Sequence, residues 1–393
     1  MVEMNLGFYY HITLYTDYKG LNVPAYLGLF IDSLANEVEF LTLFMHEATV
    51  QEAVKCDYIL KAQNIKFVSL GKKTPAWERF LWPGRTIRQV SSKVKGCDVL
   101  LVRAPSPLAP AFNKFCGNTT KVCYMIVGDY ALSSQYLDQP WLRKKLIIVL
   151  SKRNDRQLSK EVGKTISIVN STILYNKYKK INDQVFEIKT TTLSEEDFFK
   201  RADTCCEEEI KVLYTGRIDF SKGLRELILG IGIVIKEKIN VSLHLAGWED
   251  DATMPVEKLL RKTSVEEGIE NRVHFYGRKT LGKELNKIYR MADIYVIPSY
   301  QEGFPRTIWE AMANCLPVVA TRVGSIPLFL KDHENVLLID PKSKEAVAEA
   351  ILKIINNAAM RRNMIANGFV LARENTLEIQ AKRIVKVLVN SSQ

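Results

Sequence analysis

Short apolar runs alternate with amphipathic stretches along most of the chain, and the runs are too short and too β-branched to be helices. Phe8–Tyr15 reads as a strand, Thr16–Pro24 as a loop and Ala25–Ala35 as a helix. Phe40–Met45, Ile65–Leu70, Val99–Val102 and Val122–Val127 follow as buried strands. Leu146–Val149, Thr165–Val169 and Val185–Ile188 continue the series more weakly. Strands that alternate with helices imply a parallel sheet covered on both faces.

A polar, charged stretch from Thr190 to Glu209 breaks the pattern and marks a domain boundary. A second series then begins with Lys211–Gly216 and continues through Val241–Gly247, Val273–Gly277, Ile294–Pro298, Pro317–Ala320 and Val336–Ile339. Three amphipathic helices are expected at Lys344–Asn356, Met360–Phe369 and Leu377–Val389. The fold class is therefore α/β, with two Rossmann-like parallel-sheet domains. The first is expected over residues 1–190 and the second over residues 191–375.

Composition adds little to fold but something to partners. At 393 residues, 47% hydrophobic and 25% charged, the chain is ordinary globular material for two domains. The N-terminus has no basic segment ahead of an apolar one and no run of eighteen apolar residues exists, so a cytoplasmic location is expected. Seven cysteines lack paired metal spacing and read as reduced thiols, with no metal site. The net charge of +11 lies wholly in the first half, where residues 61–120 carry 11 basic and 2 acidic side chains. Residues 72–95 interleave Trp77, Phe80 and Trp82 with cations. That stretch is a candidate for docking on anionic membrane, or else a solvated basic helix with its aromatic side chains in the core.

Candidate chemistry centres on Ser299-Tyr-Gln-Glu-Gly-Phe-Pro-Arg-Thr-Ile-Trp-Glu310, placed between a strand and a helix. With a helix starting near Pro305, which itself has no N–H, the N–H groups of Phe304, Arg306 and Thr307 would form an anion cradle after Gly303, with Glu310 two turns in. Glu302 and Glu310 are two acceptors for hydroxyls on either side of a diphosphate; the bland alternative is a helix cap and a solvated side chain. Gly216-Arg-Ile-Asp-Phe-Ser-Lys-Gly223 lies at another strand end. There Arg217 offers a planar fork of donors and Lys222 a point charge, suited to a diphosphate or, equally, to a solvated turn.

The Glu-x7-Glu spacing, with Gly-Phe-Pro after Glu302, Ala-Met-Ala after Glu310 and Pro317-Val-Val-Ala-Thr321 beyond, resembles the donor-site signature of family 4 glycosyltransferases of the GT-B fold. The Gly216-Arg217 and Lys222-Gly223 pair is similar to the element that this family sets against donor phosphates. The resemblance is specific over residues 210–345 and only architectural over residues 1–190. It implies two domains facing a cleft, with residues 376–393 returning to the first as the last helix and a hinge near residues 190–207. It further implies that Glu302 binds hydroxyls of the transferred sugar and Glu310 those of the ribose. Gly247 would let backbone approach the ligand, and the loop at Arg278 would read the nucleobase.

Several positions depart from the family pattern. Lys19-Gly20 stands where a paired glycine loop is common, and Gly128-Asp129 where a His is common, leaving Asp129 as the nearest polar substitute. Cys315 and Val336 replace glycines, and Gly324-Ser-Ile-Pro327 stands for Gly-Gly-x-x-Glu.

The implied activity is retaining transfer of a hexose from a nucleotide diphosphate sugar to a saccharide or lipid-linked acceptor in polysaccharide or glycoconjugate biosynthesis. The donor is a co-substrate, a UDP-sugar such as UDP-glucose by preference, and no cofactor is expected. The missing Asp-x-Asp motif fits a metal-independent enzyme. Other uses of the scaffold, such as a sugar-nucleotide epimerase, and a basic nucleic-acid-binding protein are the alternatives; a dehydrogenase would need Gly-x-Gly-x-x-Gly after a first strand. No nucleic-acid partner is expected, because basic charge alone does not account for Glu302 and Glu310.

Overall fold

A computed structural model describes residues 2–116, 118–129, 134, 140–251 and 253–390. The chain divides into two compact units, residues 1–190 with 377–393, and residues 191–376. It passes between them at Thr190–Thr191 and again at Thr376–Leu377.

In the first unit, β1 (Val2–Asp17) runs beside β3 (Val38–Glu47) and β6 (Val99–Ala104), and β5 (Ile65–Lys72) extends the sheet beyond β3. On the other side follow β7 (Lys121–Ile126), β8 (Ser167–Val169) and β9 (Val185–Glu187), all parallel. The parallel order β5-β3-β1-β6-β7 therefore reverses direction between β1 and β6. β1 carries a register shift between Tyr9 and Thr13 on its β3 side. The last helix, Leu377–Asn390, buries Leu377, Ile384, Val385 and Leu388 in the same core as Leu27 and Ile31 of helix Ala25–Ala35.

The stretch expected to be a loop, Thr16–Pro24, is instead a hairpin: β2 (Gly20–Val23) pairs antiparallel with the end of β1, and β4 (Tyr58–Ile59) pairs with β2. Asp17 closes the turn by accepting the N–H groups of Lys19 and Gly20 at 2.8 and 3.1 Å. The strand expected at Leu146–Val149 is part of a helix, Trp141–Val162. Its four apolar residues lie in a run of twenty-two residues rich in Lys, Arg and Leu and free of Gly and Pro, and length decides for helix. Leu146 and Val149 are over half exposed there rather than buried.

The second unit holds β10 (Ile210–Arg217), β11 (Val241–Trp248), β12 (Val273–Gly277), β13 (Ile294–Ile297), β14 (Val318–Thr321) and β15 (Leu337–Ile339). They form one parallel sheet in the order β12-β11-β10-β13-β14-β15. This is the doubly wound nucleotide-binding order, with its switch point between β10 and β13. The stretch expected as a hinge, 190–207, is fastened to this unit over most of its length. Phe199 N–H reaches the Ala313 carbonyl at 2.9 Å, Asp203 pairs with Arg361 at 2.6 Å and Cys205 N–H donates to Asp293 at 2.8 Å. Among the described residues no helix is long and apolar enough to cross a membrane.

Candidate functional site

The switch point of the second unit gathers three strand ends. From β10 comes the segment Gly216–Gly223, from β13 the loop Pro298–Arg306, and from β14 the turn Arg322–Ser325. Backbone hydrogen bonds tie them together: Tyr300 N–H to the Ser221 carbonyl at 2.7 Å and Ser325 N–H to the Gly303 carbonyl at 2.8 Å. The Thr321 hydroxyl donates to the Ser299 carbonyl at 2.6 Å. Two glycines make this closeness possible. Gly223 and Gly324 have φ of +62° and +58°, and a Cβ on them would stand 2.1 Å from the Pro298 carbonyl oxygen and 1.8 Å from that of Glu302. No side chain fits at either place.

Within this clamp Lys222 and Glu302 meet. The ammonium lies 2.7 Å from Glu302 Oε1, and both side chains are almost nine-tenths buried. Ser299 donates its hydroxyl to the same carboxylate oxygen at 2.7 Å. Eighty residues of sequence separate the pair, and the β10–β13 adjacency brings them together.

Glu310 faces a different set of groups. Its carboxylate, 8% exposed, accepts the Thr192 hydroxyl at 2.6 Å and the Tyr289 hydroxyl at 2.8 Å. Since the one Tyr289 proton is committed to Glu310, the Thr215 hydroxyl 2.6 Å away donates to Tyr289. Burial, and then the Glu310 charge, hold the Tyr289 hydroxyl well above its ordinary pKa, so it stays a donor. The chain Thr192, Glu310, Tyr289, Thr215 thus reaches the residue before Gly216.

The helix carrying Glu310 starts two residues later than expected. It spans Thr307–Ala313, and Ile308 and Trp309 N–H groups bond back to the Pro305 and Arg306 carbonyls. Glu310 therefore sits in the first turn, not two turns in, and a seven-residue helix supplies a weak dipole for the expected anion cradle. Phe304 stacks on Trp309 with ring centroids 4.5 Å apart, anchoring the loop to the core. The helix ends with Cys315 at φ +53°, its N–H on the Met312 carbonyl and the Leu316 N–H on that of Ala311, the left-handed cap that glycine usually fills.

The remaining sequence candidates are spread more widely. Arg217, about half exposed, stands 3.9 Å from Asp219 and 3.7 Å from Asp250 and does not contact Glu302. Gly247 faces the Gly216 carbonyl so closely that a Cβ there would be 1.9 Å from it. Arg278, exposed, lies over the Trp248 ring at 5.4 Å. Asp129 and Gly20 both belong to the first unit. Asp129 pairs with Lys177 at 2.9 Å, and Gly20 sits at the tip of the β1–β2 hairpin, not in a loop that opens a helix. Thr192, Tyr289, Ser299 and Thr215 escaped sequence reasoning, because isolated hydroxyl residues carry no spacing signal.

The model of the family described as glycosyl transferases group 1 matches residues 195–370. The chain is 29% identical over 191 residues to an uncharacterized glycosyltransferase of Methanocaldococcus jannaschii, covering 49% of this chain and 47% of that protein. It is 30% identical over 155 residues to a D-inositol 3-phosphate glycosyltransferase of Corynebacterium efficiens, covering 39% of this chain and 36% of that one. The chain thus spans less than half the length of either relative. The structure of HepE from Anabaena in complex with UDP superposes with a TM-score of 0.73 at 16% identity, covering 98% of this chain and 100% of that chain. At that identity the likeness establishes the fold, the GT-B architecture.

Proposed function

We propose that the protein is a retaining glycosyltransferase that moves a hexose from a UDP-sugar to an acceptor hydroxyl. The observation that carries this is the Lys222–Glu302 pair, clamped by backbone at the switch point of a nucleotide-binding sheet. The group 1 match over residues 195–370 covers that site, and HepE, of like fold, has been solved with UDP and with UDP-glucose.

Cleaving the anomeric bond develops positive charge on the sugar and negative charge on the departing diphosphate, and holding the latter is the larger task. Lys222 has three N–H donors and its contact with Glu302 engages one, so the others remain to meet phosphate oxygens. Arg217, exposed on the same strand end, supplies the second cation. Glu302, held by Ser299 and Lys222, keeps acceptor capacity for hydroxyls of the transferred sugar, and Glu310 is assigned to the ribose. Retention is assigned to same-face attack, with a donor phosphate oxygen taking the acceptor proton, so no enzymic nucleophile is named.

The acceptor is assigned to the first unit. A membrane-borne acceptor accords with exposed Trp77, Leu81 and Trp82 on one helix pair and exposed Trp141, Leu142 and Leu146 on the single helix Trp141–Val162, flanked by Arg85, Arg88, Arg143 and Lys145. Arg79, expected among those surface cations, is instead buried with its Nε on the Thr74 carbonyl at 2.9 Å.

A thermal-shift panel of nucleoside diphosphates and their sugars tests the donor. A ligand at a hundred times its Kd adds about 2.7 kcal/mol to stability. UDP or UDP-glucose should give the largest shift, with UDP-glucose hydrolysis lost in Glu302→Ala. A panel with no stabilising nucleotide would overturn the proposal.

A further inference from the structure

Among the described residues β9 ends the first unit's sheet, and the apolar face there is not fully covered. Phe186 is in register with Ile168 of β8, so the alternation of side chains puts Ile166, Ile168, Phe186 and Ile188 on one face. The last helix, Leu377–Asn390, packs on that face, where Ile168 and Ile188 share a core with its Ile384 and Val385. It runs opposite to β9: Lys189 N–H, past the end of the strand, donates to Gln380 near the start of the helix at 2.9 Å. Beside this contact a groove of about 380 Å³ remains between helix and strand, with Ile166, Phe186, Ile188 and Val387 on its walls. Phe186 is 42% exposed in it.

The helix side of the groove is basic. Arg383, Lys386 and Val387 fall on one helical stripe, three and four residues apart, and all three line the groove. Both cations are exposed, and among the described residues neither has an ion-pair or hydrogen-bond partner. Glu187, the carboxylate on the walls, is already engaged: it accepts Lys189 and the Thr172 hydroxyl, each at 3.0 Å. Burial first, and Arg383 with it, hold the Lys189 ammonium below its ordinary pKa against the pull of Glu187. Two unanswered positive charges therefore stand beside a half-exposed apolar floor.

The possible occupants meet this arrangement differently. A small inorganic anion would answer Arg383 and Lys386 but leave the apolar walls in water, and a neutral apolar molecule would do the reverse. A second copy docked about a two-fold axis would set the two cations against their own copies. A peptide added as a strand would find a template of three residues, Val185–Glu187, whose Val185 turns away into the core around Tyr178. An alkyl chain that ends in an acid satisfies walls and charges together.

We propose that this groove binds a single-chain anionic amphiphile, with the chain along Ile166, Phe186, Ile188 and Val387 and the carboxylate or phosphate at Arg383 and Lys386. Its volume falls within the roughly 300–1,000 Å³ of small-molecule sites. The inference does not rest on the glycosyl-transfer function proposed above.

Calorimetric titration of the full-length protein with decanoate, decyl phosphate, decanol and decyltrimethylammonium, each below its micelle concentration, tests the site. Decanoate or decyl phosphate should bind saturably and at least about tenfold more tightly than decanol, and the cationic amphiphile should not compete. The tighter of the two anions identifies the acid group held. Arg383→Gln combined with Lys386→Gln, at exposed positions, should weaken the anion about tenfold and leave decanol unchanged, whereas Phe186→Gln should weaken both. Thermal unfolding of these variants, and its shift by UDP, should match the parent. No saturable binding of either anion, equal affinity for decanol, or an undiminished affinity in the double variant would overturn the site. Binding to decanoate-bearing vesicles with none to the free acid would assign the groove to a bilayer, and dimerisation lost in Phe186→Gln would assign it to a second copy; either result also overturns it. Failure of UDP to stabilise the parent would strike the donor proposal alone.

Discussion

Lys222 and Glu302 form an ion pair of 2.7 Å at the seam between β10 and β13, with both side chains almost nine-tenths buried. Removing one partner strands the other charge in a largely dry setting. Lys222→Met or Glu302→Gln should each lower stability by about 1–3 kcal/mol, and the double variant should cost less than the sum. Urea unfolding of the four proteins checks this; additive losses would mean that the two charges do not interact in solution. Either single variant should also lose most of its stabilisation by UDP-glucose.

Tyr289→Phe removes one proton from the Glu310 network and leaves Thr215 without its acceptor. A loss of about 1–3 kcal/mol is expected, because a buried carboxylate forfeits a donor. Thr192→Val should cost a similar amount from the other carboxylate oxygen. Equilibrium unfolding measures both; an unchanged midpoint for Tyr289→Phe would show that Glu310 is solvated instead.

Gly324→Ala places a methyl group 1.8 Å from the Glu302 carbonyl oxygen at a φ of +58°. The loop must move, so stability should fall by at least about 1 kcal/mol and nucleotide stabilisation should fall with it. Gly303→Ala, where a Cβ meets nothing within 4 Å, is the matched control and should keep the parent's stability within about 0.5 kcal/mol. Thermal unfolding with and without UDP compares the two.

Acid should destabilise the fold through buried imidazoles. Burial, with His274 beside it, lowers His244 from 6.5 to about 4, and burial lowers His46 to about 4. Below pH 6.5 the unfolded chain takes up protons that the folded rings refuse until about pH 4. Their contribution is therefore complete above pH 6.5 and is lost between there and pH 4, at about 1.4 kcal/mol per pH unit for each ring. His244 is held by Ser242 and Tyr276, each 2.9 Å away, so His244→Gln keeps partners while removing one titration. Urea midpoints at pH 7, 5.5 and 4.5 should fall less steeply in that variant.

Neutral and anionic vesicles distinguish a membrane surface from a bare aromatic cluster. Trp82→Ala with Trp141→Ala, both exposed side chains, should reduce sedimentation with anionic vesicles severalfold at low salt and change stability little. Equal sedimentation of parent and double variant would remove the membrane from the proposed function.

The alternation of apolar runs and amphipathic stretches was enough to determine two parallel sheets, the strands of the second unit and the last three helices, because strand and helix periods are written in neighbouring residues. The same local logic misread Leu146–Val149, where four apolar residues look alike in a strand and on an exposed helix face, and Thr16–Pro24, where the pairing partner that makes a hairpin lies outside the window. Glu302 and Lys222 could be singled out in the sequence, yet nothing there says that they touch. Only the placing of β13 beside β10 decides that. Tertiary packing alone recruited Thr192 and Tyr289 to Glu310. The physical reason is that a carboxylate or an imidazole takes its partners from whatever the packed sheet sets within about 3 Å, regardless of separation along the chain.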